Sequence, residues 1–347
     1  MLVLFTLGLG GCSSVAYYAQ SVQGQLGVMS ASRPLDEVVA DPQTDETVRE
    51  KLRRLPSILQ FAMDDLGLPE TDSYRLYADL QRKAMVWNLV AAPVDSLEPR
   101  TWCYPVLGCT AYRGYFREAS AHKQAAGLTA DGWDTAVEPV PAYSTLGWFS
   151  DPLPSTVIHW SLADIAGLVF HELAHEKLYV SGDSAFNEAY ATVVEQEGVR
   201  RWLQRFGSEA QLEQRRLAER RRRDFLQLLS QTRQRLDAVY AADVDAGAML
   251  SRKSEVLQLL RKEYAGLKES WNGYSGYDRW MLRPLNNAHL ASVNTYYALE
   301  PAFRELLRQS GGDMGEFQRR CAAIAESDKV RREAAMKGLL ELASRPR

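Results

Sequence analysis

The pattern of apolar and polar positions changes character near Pro154. Before this proline, helical spacing over about 45–66 is followed by a β-branched and aromatic run at 85–90, which is typical of a strand. After it, apolar residues recur with a helical period for almost the whole remaining chain. Stretches with this period predict helices over about 161–180, 184–206, 208–241 and 246–269, and further helices to about 343. The sequence therefore predicts an α+β fold that is mostly helical.

Shorter features complete this prediction. The long helices at 208–241 and 246–269 are separated by only a few residues, which predicts an antiparallel helical hairpin. A further helix is predicted over 74–83. The aromatic, glycine- and proline-rich segments 105–116 and 140–149 predict turns and short strands.

Composition and charge narrow the class of protein. Hydrophobic residues make up 46% of the 347 residues and charged residues 24%, which is the balance of a globular protein. A formal charge of −3 argues against a dedicated nucleic-acid binder. The arginine run 220–223 invites a role in binding nucleic acid or anionic lipid, but Glu213, Glu219 and Asp224 offset it. These acids favour a solvated helix face.

The N-terminus has the composition of a targeting segment. Residues 1–11 are uncharged and apolar, end in small residues, and are too short to span a bilayer as a helix. Leu9-Gly10-Gly11-Cys12 resembles the bacterial lipobox, although no Lys or Arg precedes the apolar run. The resemblance implies that Cys12 becomes the lipid-anchored first residue, with the body of the protein in the periplasm at the outer membrane. The alternative is an apolar tail with a buried cysteine.

The chain accordingly divides into three regions. Residues 1–12 form the signal segment, and residues 13–44, interrupted by glycines and prolines, form a tether with a short helix. Residues 45–347 form one domain, in which 45–160 is mixed α/β and 161–347 is helical.

Two of the four cysteines lie close together in the sequence. Cys103 and Cys109 flank a segment that contains proline and glycine, so a turn can bring them within bridging distance. In an oxidising compartment such a pair is expected to form a small loop disulfide. Two free thiols in a buried turn are the alternative. Cys321 lies in an amphipathic helical pattern and is expected in the core.

The segment that carries chemistry is His171-Glu172-Leu173-Ala174-His175. Residues four apart lie on one face of a helix, so the imidazoles of His171 and His175 can reach one cation. Glu172 projects beside that cation, where it can take a proton from activated water and pass it to a leaving amine. The pattern therefore predicts a zinc site with Glu172 as general base and acid.

A zinc hydrolase site usually has a third protein ligand. Asn187-Glu188-Ala189-Tyr190 resembles the segment that supplies this ligand in the gluzincin metallopeptidases, and Glu195 is a rival at a longer spacing. If the two helices form a hairpin that turns near Gly182, His175 and Glu188 are nearly equidistant from the turn. Glu195 would then lie roughly 10 Å further along. Counting from the turn favours Glu188.

The same count places Thr192 near the level of His171. In the gluzincins an acid at this position often orients the first histidine. A threonine hydroxyl can also accept the Nδ1 proton of an imidazole. We therefore predict that Thr192 supports His171.

Several blocks together resemble the bacterial lipoprotein family of predicted aminopeptidases, which belongs to the zincin class. They are CYPVLGC at 103–109, YRGYF at 112–116, PAYSTLGWF at 141–149, HELAHEKLYV at 171–180, FNEAYA at 186–191 and LNNA at 285–288. The resemblance implies a zincin-like fold in which a small N-terminal antiparallel sheet packs on the HExxH helix. It also implies one Zn²⁺ per chain and a peptide substrate that pairs with an edge strand, for which Tyr143 to Phe149 is the candidate.

A donor that stabilises the transition state is also expected from a later helix. We assign this role to His289, which follows the LNNA block and loosely resembles the late histidine segment of thermolysin-like enzymes. Tyrosines downstream of the motif are alternatives, namely Tyr274, Tyr277, Tyr296 and Tyr297.

These expectations define a function. The leading hypothesis is a lipid-anchored, zinc-dependent metallopeptidase of the cell envelope that acts as an aminopeptidase. An aminopeptidase needs an acid for the substrate α-amine, and Glu138 is the only candidate near the predicted edge strand, so an envelope endopeptidase stays open. A non-catalytic scaffold with the same fold is a further alternative, which the intact Glu172 disfavours.

Overall fold

The computed structural model describes residues 10–104, 108–145, 149–291 and 299–345, with side chains from residue 16. Most of these residues lie in helices. The fold is α+β and mostly helical, as predicted. The helices are α1 Gly10–Ser30, α2 Leu35–Ala40, α3 Glu46–Leu66, α4 Glu118–Ala130, α5 Leu162–Lys177, α6 Ser184–Phe206, α7 Glu209–Tyr240, α8 Ala246–Ser270, α9 Asp278–Met281, α10 287–291, α11 Glu300–Gln309, α12 Met314–Ala325 and α13 Lys329–Ala343. Within the described residues, no helix is both long enough and apolar enough to cross a membrane.

The strands are short and form three small sheets. They are β1 Ser32–Pro34, β2 Leu76–Ala78, β3 Val86–Pro93, β4 Trp102–Tyr104, β5 Gly108–Thr110, β6 Arg113–Tyr115, β7 Trp133–Val140 and β8 Leu153–Pro154. One sheet has the order β6-β3-β7 and is antiparallel throughout. In the second, β2 pairs antiparallel with β1 and parallel with β8. The third is the β4–β5 hairpin.

That the antiparallel sheet packs on the HExxH helix stays a prediction, since the largest cluster of its described contacts is with α4. Its inward side chains, such as Leu89, pack against α4 through Ala121, Ala125 and Leu128. The sheet that reaches the core around α5 is the mixed one, through Leu153 at its edge. Helix α4, which the sequence pattern did not predict, covers one face of the antiparallel sheet, and Val90 and Ala136 on the other face pack with Tyr112 and Ala288.

Helices α5 and α6 form an antiparallel pair in the largest hydrophobic core. The Ser161 hydroxyl accepts a hydrogen bond from the Asp164 amide and starts α5, while Asp183 caps α6 in the same way. The two helices approach closely at Gly198, since a Cβ atom there would lie 2.6 Å from Cδ2 of Phe170. Helices α3 and α11 to α13 complete this core around the pair.

The predicted hairpin of α7 and α8 is present and has its own core. Leu229, Leu236 and Leu260 are buried between the two helices. The arginine run of α7 forms specific contacts instead of a purely solvated face. Arg222 donates to the buried carboxylate of Glu300 at 2.6 Å. These contacts give the arginine run a structural role in the folded protein.

The LNNA block joins the helical hairpin to the antiparallel sheet. The Asn287 amide donates to the carbonyl oxygens of Pro93 and Ser96 and accepts from the Tyr240 hydroxyl. The Asn287 backbone N–H donates to Asp134. Because Asn287 is fully buried, each of these bonds satisfies a polar group that water cannot reach.

Two local predictions were wrong. Residues 13–44, predicted to be a tether with a short helix, contain most of the 21-residue helix α1, which begins at Gly10, and its side chains contact the body of the protein. Residues 74–83, predicted to be helical, contain the short strand β2. Tyr74 has a positive φ of 63°, which is incompatible with a right-handed helix at that point.

Candidate functional site

The two histidines of the HExxH motif lie side by side in α5. The Nε2 atoms of His171 and His175 are 3.2 Å apart, and both rings are largely buried. The spacing of four residues produces this arrangement, because it places both side chains on the same face of the helix.

Helix α6 brings Glu188 to the same point. Its Oε2 atom lies 3.4 Å from Nε2 of His171 and 3.8 Å from Nε2 of His175. Among the described residues, these three side chains form a cluster whose donor atoms lie within 4.8 Å of one another. The structure thus brings together the three residues that the sequence predicted as metal ligands.

The turn between α5 and α6 fixes the position of Glu188. The side chain of Asn187, next to Glu188, donates to the carbonyl oxygen of Val180 and accepts from the Val180 N–H, both at 2.8 Å. Gly182 occupies the turn with a positive φ of 79°. The asparagine therefore anchors the start of α6 to the end of α5.

The charges of the cluster are strongly coupled. Burial disfavours a charge on His171, but Glu188 and Glu195 beside its ring hold its pKa well above the usual range. Burial lowers the pKa of His175 to about 4. Burial also works against the charge of Glu188, yet the two imidazoles hold its pKa below the usual range. Two carboxylates, Glu188 and Glu195, thus lie beside the buried ring of His171.

Glu195, and not Thr192, is the residue beside the outer ring nitrogen of His171. The Oε2 atom of Glu195 lies 3.3 Å from Nδ1 of His171. Thr192 is buried, and no hydrogen bond joins it to His171 in the described part of the chain. The prediction for Thr192 was therefore wrong. The acid beside His171 is Glu195, which lies seven residues after Glu188, whereas the acid of the gluzincins lies four residues after the ligand.

Glu172 lies next to the cluster and is buried. Burial raises the pKa of its carboxyl to about 7, with His171 opposing this shift and Glu188 adding to it. A carboxyl group with a pKa near neutrality can both accept and return a proton, as a general base and acid must do.

Three tyrosines that the sequence analysis did not single out lie near these acids. Burial, followed by the charges of Glu188 and Glu172, raises the pKa of the Tyr112 hydroxyl. Burial and the charge of Glu188 raise that of Tyr179, and burial and Glu172 that of Tyr74. These hydroxyls therefore keep their protons and can donate hydrogen bonds at neutral pH. Tyr112 lies in the YRGYF block, which was the available signal.

The predicted disulfide is present and lies close to the site. Cys103 and Cys109 are bonded to each other across the β4–β5 hairpin. Gly108 of this hairpin has a φ of 74°, and a Cβ atom there would lie 3.0 Å from the backbone nitrogen of Gly182. The disulfide hairpin thus packs directly on the turn that positions Glu188.

His289, the predicted transition-state donor, lies in another environment. Its Nδ1 atom is 2.8 Å from Oδ1 of Asn286, and its ring packs edge-on against Trp280. Glu138, the candidate for the substrate α-amine, is paired with Arg283. These contacts give both residues structural partners.

The remaining candidates have separate positions. Tyr274 stacks with Arg221, and Tyr277 stacks on Phe225. Tyr296 and Tyr297 lie outside the described residues, as do 146–148 of the predicted edge strand, whose described part has no regular structure. The backbone of Cys12 lies in α1, and its side chain is outside the described part.

A family model described as "Putative aminopeptidase" matches residues 16–336. The matched range includes the HExxH helix and all of α6, and it begins after Cys12. No curated protein and no solved structure matches the chain.

Proposed function

Because the chain belongs to the family of that description, we propose that it is a zinc-dependent aminopeptidase that acts on peptides in the cell envelope. The convergence of His171, His175 and Glu188 on one point, with Glu172 beside them, is the observation that carries this proposal.

The donor set fits a zinc ion in kind and in spacing. Two imidazoles and one carboxylate are the ligands of many catalytic zinc sites, in which the fourth position stays open. Tetrahedral ligands at zinc distances lie about 3.4 Å from one another. The separations of 3.2, 3.4 and 3.8 Å among the three donor atoms agree with that value. His171, His175 and Glu188 would hold the ion.

When bound, zinc supplies Lewis-acid polarisation of a substrate carbonyl and makes water a stronger acid. Glu172 accepts a proton at its carboxylate and returns it to the leaving amine, for which a pKa of about 7 is suited. Glu195 orients the ring of His171 through its Nδ1 atom.

The tyrosine hydroxyls are better candidates than His289 for stabilising negative charge on the substrate. Burial, followed by the charges of Glu188 and Glu172, raises the pKa of the Tyr112 hydroxyl, which supports a position near the site. A protonated phenol can donate a hydrogen bond to a developing oxyanion. We assign this role to Tyr112.

An envelope location is part of the proposal. The Cys103–Cys109 disulfide supports it, since small loop disulfides persist in oxidising compartments such as the periplasm. The lipobox-like segment ending at Cys12 supports attachment to the membrane through a lipid.

Metal content and peptide hydrolysis test the proposal together. We expect about one zinc per chain in the full-length protein and a loss of zinc in Glu188→Ala. Glu172→Gln should keep the zinc and lose hydrolysis by a factor of about 100 or more. The matched control is Glu176→Gln, one helical turn from Glu172 on the same helix, which should keep both.

The choice of substrate separates the alternatives. A peptide with a free α-amine should be hydrolysed and its N-acetylated form should not. Equal hydrolysis of both would indicate an endopeptidase. Zinc binding without hydrolysis of any peptide in a library would indicate the scaffold, and no zinc in the wild type would overturn the metallopeptidase.

A further inference from the structure

Helix α1 carries a row of exposed apolar side chains. Tyr18, Val22, Leu26 and Met29 are exposed by 46, 61, 58 and 47%. Their spacing of four, four and three residues places them on one face of the helix. Contiguous apolar surface of this kind on a folded protein marks a site of contact with another apolar phase or molecule.

The opposite face holds α1 firmly on the body of the protein. Val28 is fully buried, and Gln20 accepts a hydrogen bond from the Phe116 amide at 3.1 Å. Arg117 donates to Gln23 at 2.9 Å, and Tyr143 donates to Gln25. Three glutamines of α1 thus form hydrogen bonds to the body of the protein, while the row of apolar side chains faces away from it. An ordinary surface helix has the opposite arrangement, with its apolar side chains toward the protein.

The absence of charge identifies what this face contacts. Residues 1–32 contain no Asp, Glu, Lys or Arg, although a segment of this length would carry about eight at the average of the chain. A contact with another protein tolerates charged residues at its rim, whereas each charged group that enters a bilayer is costly. The sequence before the helix, Met1 to Leu9, continues the same uncharged apolar composition.

We propose that the outward face of α1 lies in the interfacial region of a lipid bilayer, with the helix parallel to the membrane plane. Since α1 has no basic residue, its binding depends on apolar area and does not require anionic lipid. This contact is separate from a lipid on Cys12: a single acyl chain gives only marginal binding, and the apolar face adds a second attachment that also fixes the orientation of the protein.

Flotation with neutral phosphatidylcholine vesicles tests this contact. The experiment uses the full chain with Cys12→Ser, so that no variant carries an acyl chain and all retain residues 1–9. In this background, Val22→Asn with Leu26→Asn should lower the vesicle partition coefficient about tenfold or more, because two exposed apolar side chains lose their lipid contact. Leu250→Asn with Leu282→Asn, a pair of exposed leucines elsewhere, is the matched control and should change nothing.

The outcomes of this experiment distinguish a lipid bilayer from a second copy of the protein as the contact of this face. Equal partitioning of the α1 variant and the control pair would overturn the proposal, as would binding that occurs only with anionic vesicles. A dimer in the absence of vesicles that the α1 substitutions dissociate, without an effect on flotation, would assign the face to a second copy. Unchanged zinc content and thermal midpoint would show that the site and the fold are intact in the variants.

Discussion

Glu195 lies 3.3 Å from Nδ1 of His171, and its other carboxylate oxygen lies 3.4 Å from the guanidinium of Arg215. Arg215 belongs to α7, so this chain of contacts connects the helical hairpin to the candidate metal ligands. A carboxylate on the outer nitrogen of a ligating imidazole fixes the tautomer and the orientation of the ring. We infer that Glu195, once hydrogen-bonded to Nδ1, would hold Nε2 of His171 toward Glu188.

Removing Glu195 should weaken the metal site without removing a ligand. We expect Glu195→Ala to lower zinc affinity by about 10- to 100-fold, because His171 loses the group that orients it. Competition with a zinc chelator measures this affinity. Thr192→Val is the control, since that hydroxyl makes no bond to His171 in the described structure. A larger loss in Thr192→Val than in Glu195→Ala would contradict the assignment.

Arg215 should act on the metal site only through Glu195. The partly exposed contact between them predicts a small effect, about two- to fivefold weaker zinc binding in Arg215→Met. In the Glu195→Ala background the same substitution should have no further effect, which a double-mutant cycle with the chelator assay would measure. Additive losses would show that Arg215 acts by another route.

Gly198 should be essential to the packing of α5 on α6. A Cβ atom at this position would lie 2.6 Å from Phe170 and 2.7 Å from Leu66, both fully buried. We expect Gly198→Ala to reduce the free energy of unfolding by about 1–3 kcal/mol, measured by denaturant titration. Gly266→Ala, on exposed α8 with no atom near its Cβ position, should instead raise it by about 0.5–1 kcal/mol.

His289 should make stability depend on pH. Burial, with Arg283 nearby, lowers its pKa from 6.5 to about 4. Between pH 4 and pH 6.5 this histidine is protonated in the unfolded chain but neutral in the folded protein. The free energy of unfolding therefore falls as the pH falls from about 6.5 to 4. The full contribution is about 3 kcal/mol. It should be present above pH 6.5 and lost near pH 4.

Unfolding titrations of His289→Gln across this pH range isolate that contribution. The variant should lose less stability than the wild type between pH 7 and pH 4, whatever its stability at neutral pH. His122→Gln removes a histidine with a 61% exposed side chain and should keep the wild-type slope. Identical slopes in the wild type and His289→Gln would contradict the prediction.

The sequence was sufficient to place Glu188 but not Glu195. Counting from Gly182 correctly puts the backbone of Glu195 beyond His171, and its Cγ atom indeed lies beside Gly167. However, side chains lean toward the N-terminus of their own helix, and in α6 that direction leads to His171. The long glutamate side chain therefore reaches back by about half a turn, which a residue count does not include.

The first half of the chain was harder to predict because its elements carry weak patterns. Helix α4 is rich in alanine and β7 contains Pro139, Glu138 and Asp134, so neither has a clear hydrophobic period. Both are stabilised by tertiary contacts with β3, a strand that the sequence predicted. The long helices after Pro154 were predicted because each has an apolar face with a helical period and a capping residue.

The two separate cores divide the molecule into units of different stability. Leu212 at the start of α7 packs with α5 and α6, whereas Phe225 and the buried residues beyond it pack in a second core with α8, Leu97 and Leu285. The charged stretch between them contributes no buried apolar side chain. Amide hydrogen exchange in the far half of the hairpin should therefore proceed by local opening, while α5 and α6 exchange only when the whole domain unfolds. We therefore expect the half of the hairpin beyond Phe225 to open and close while the helices that carry His171 and Glu188 stay packed together.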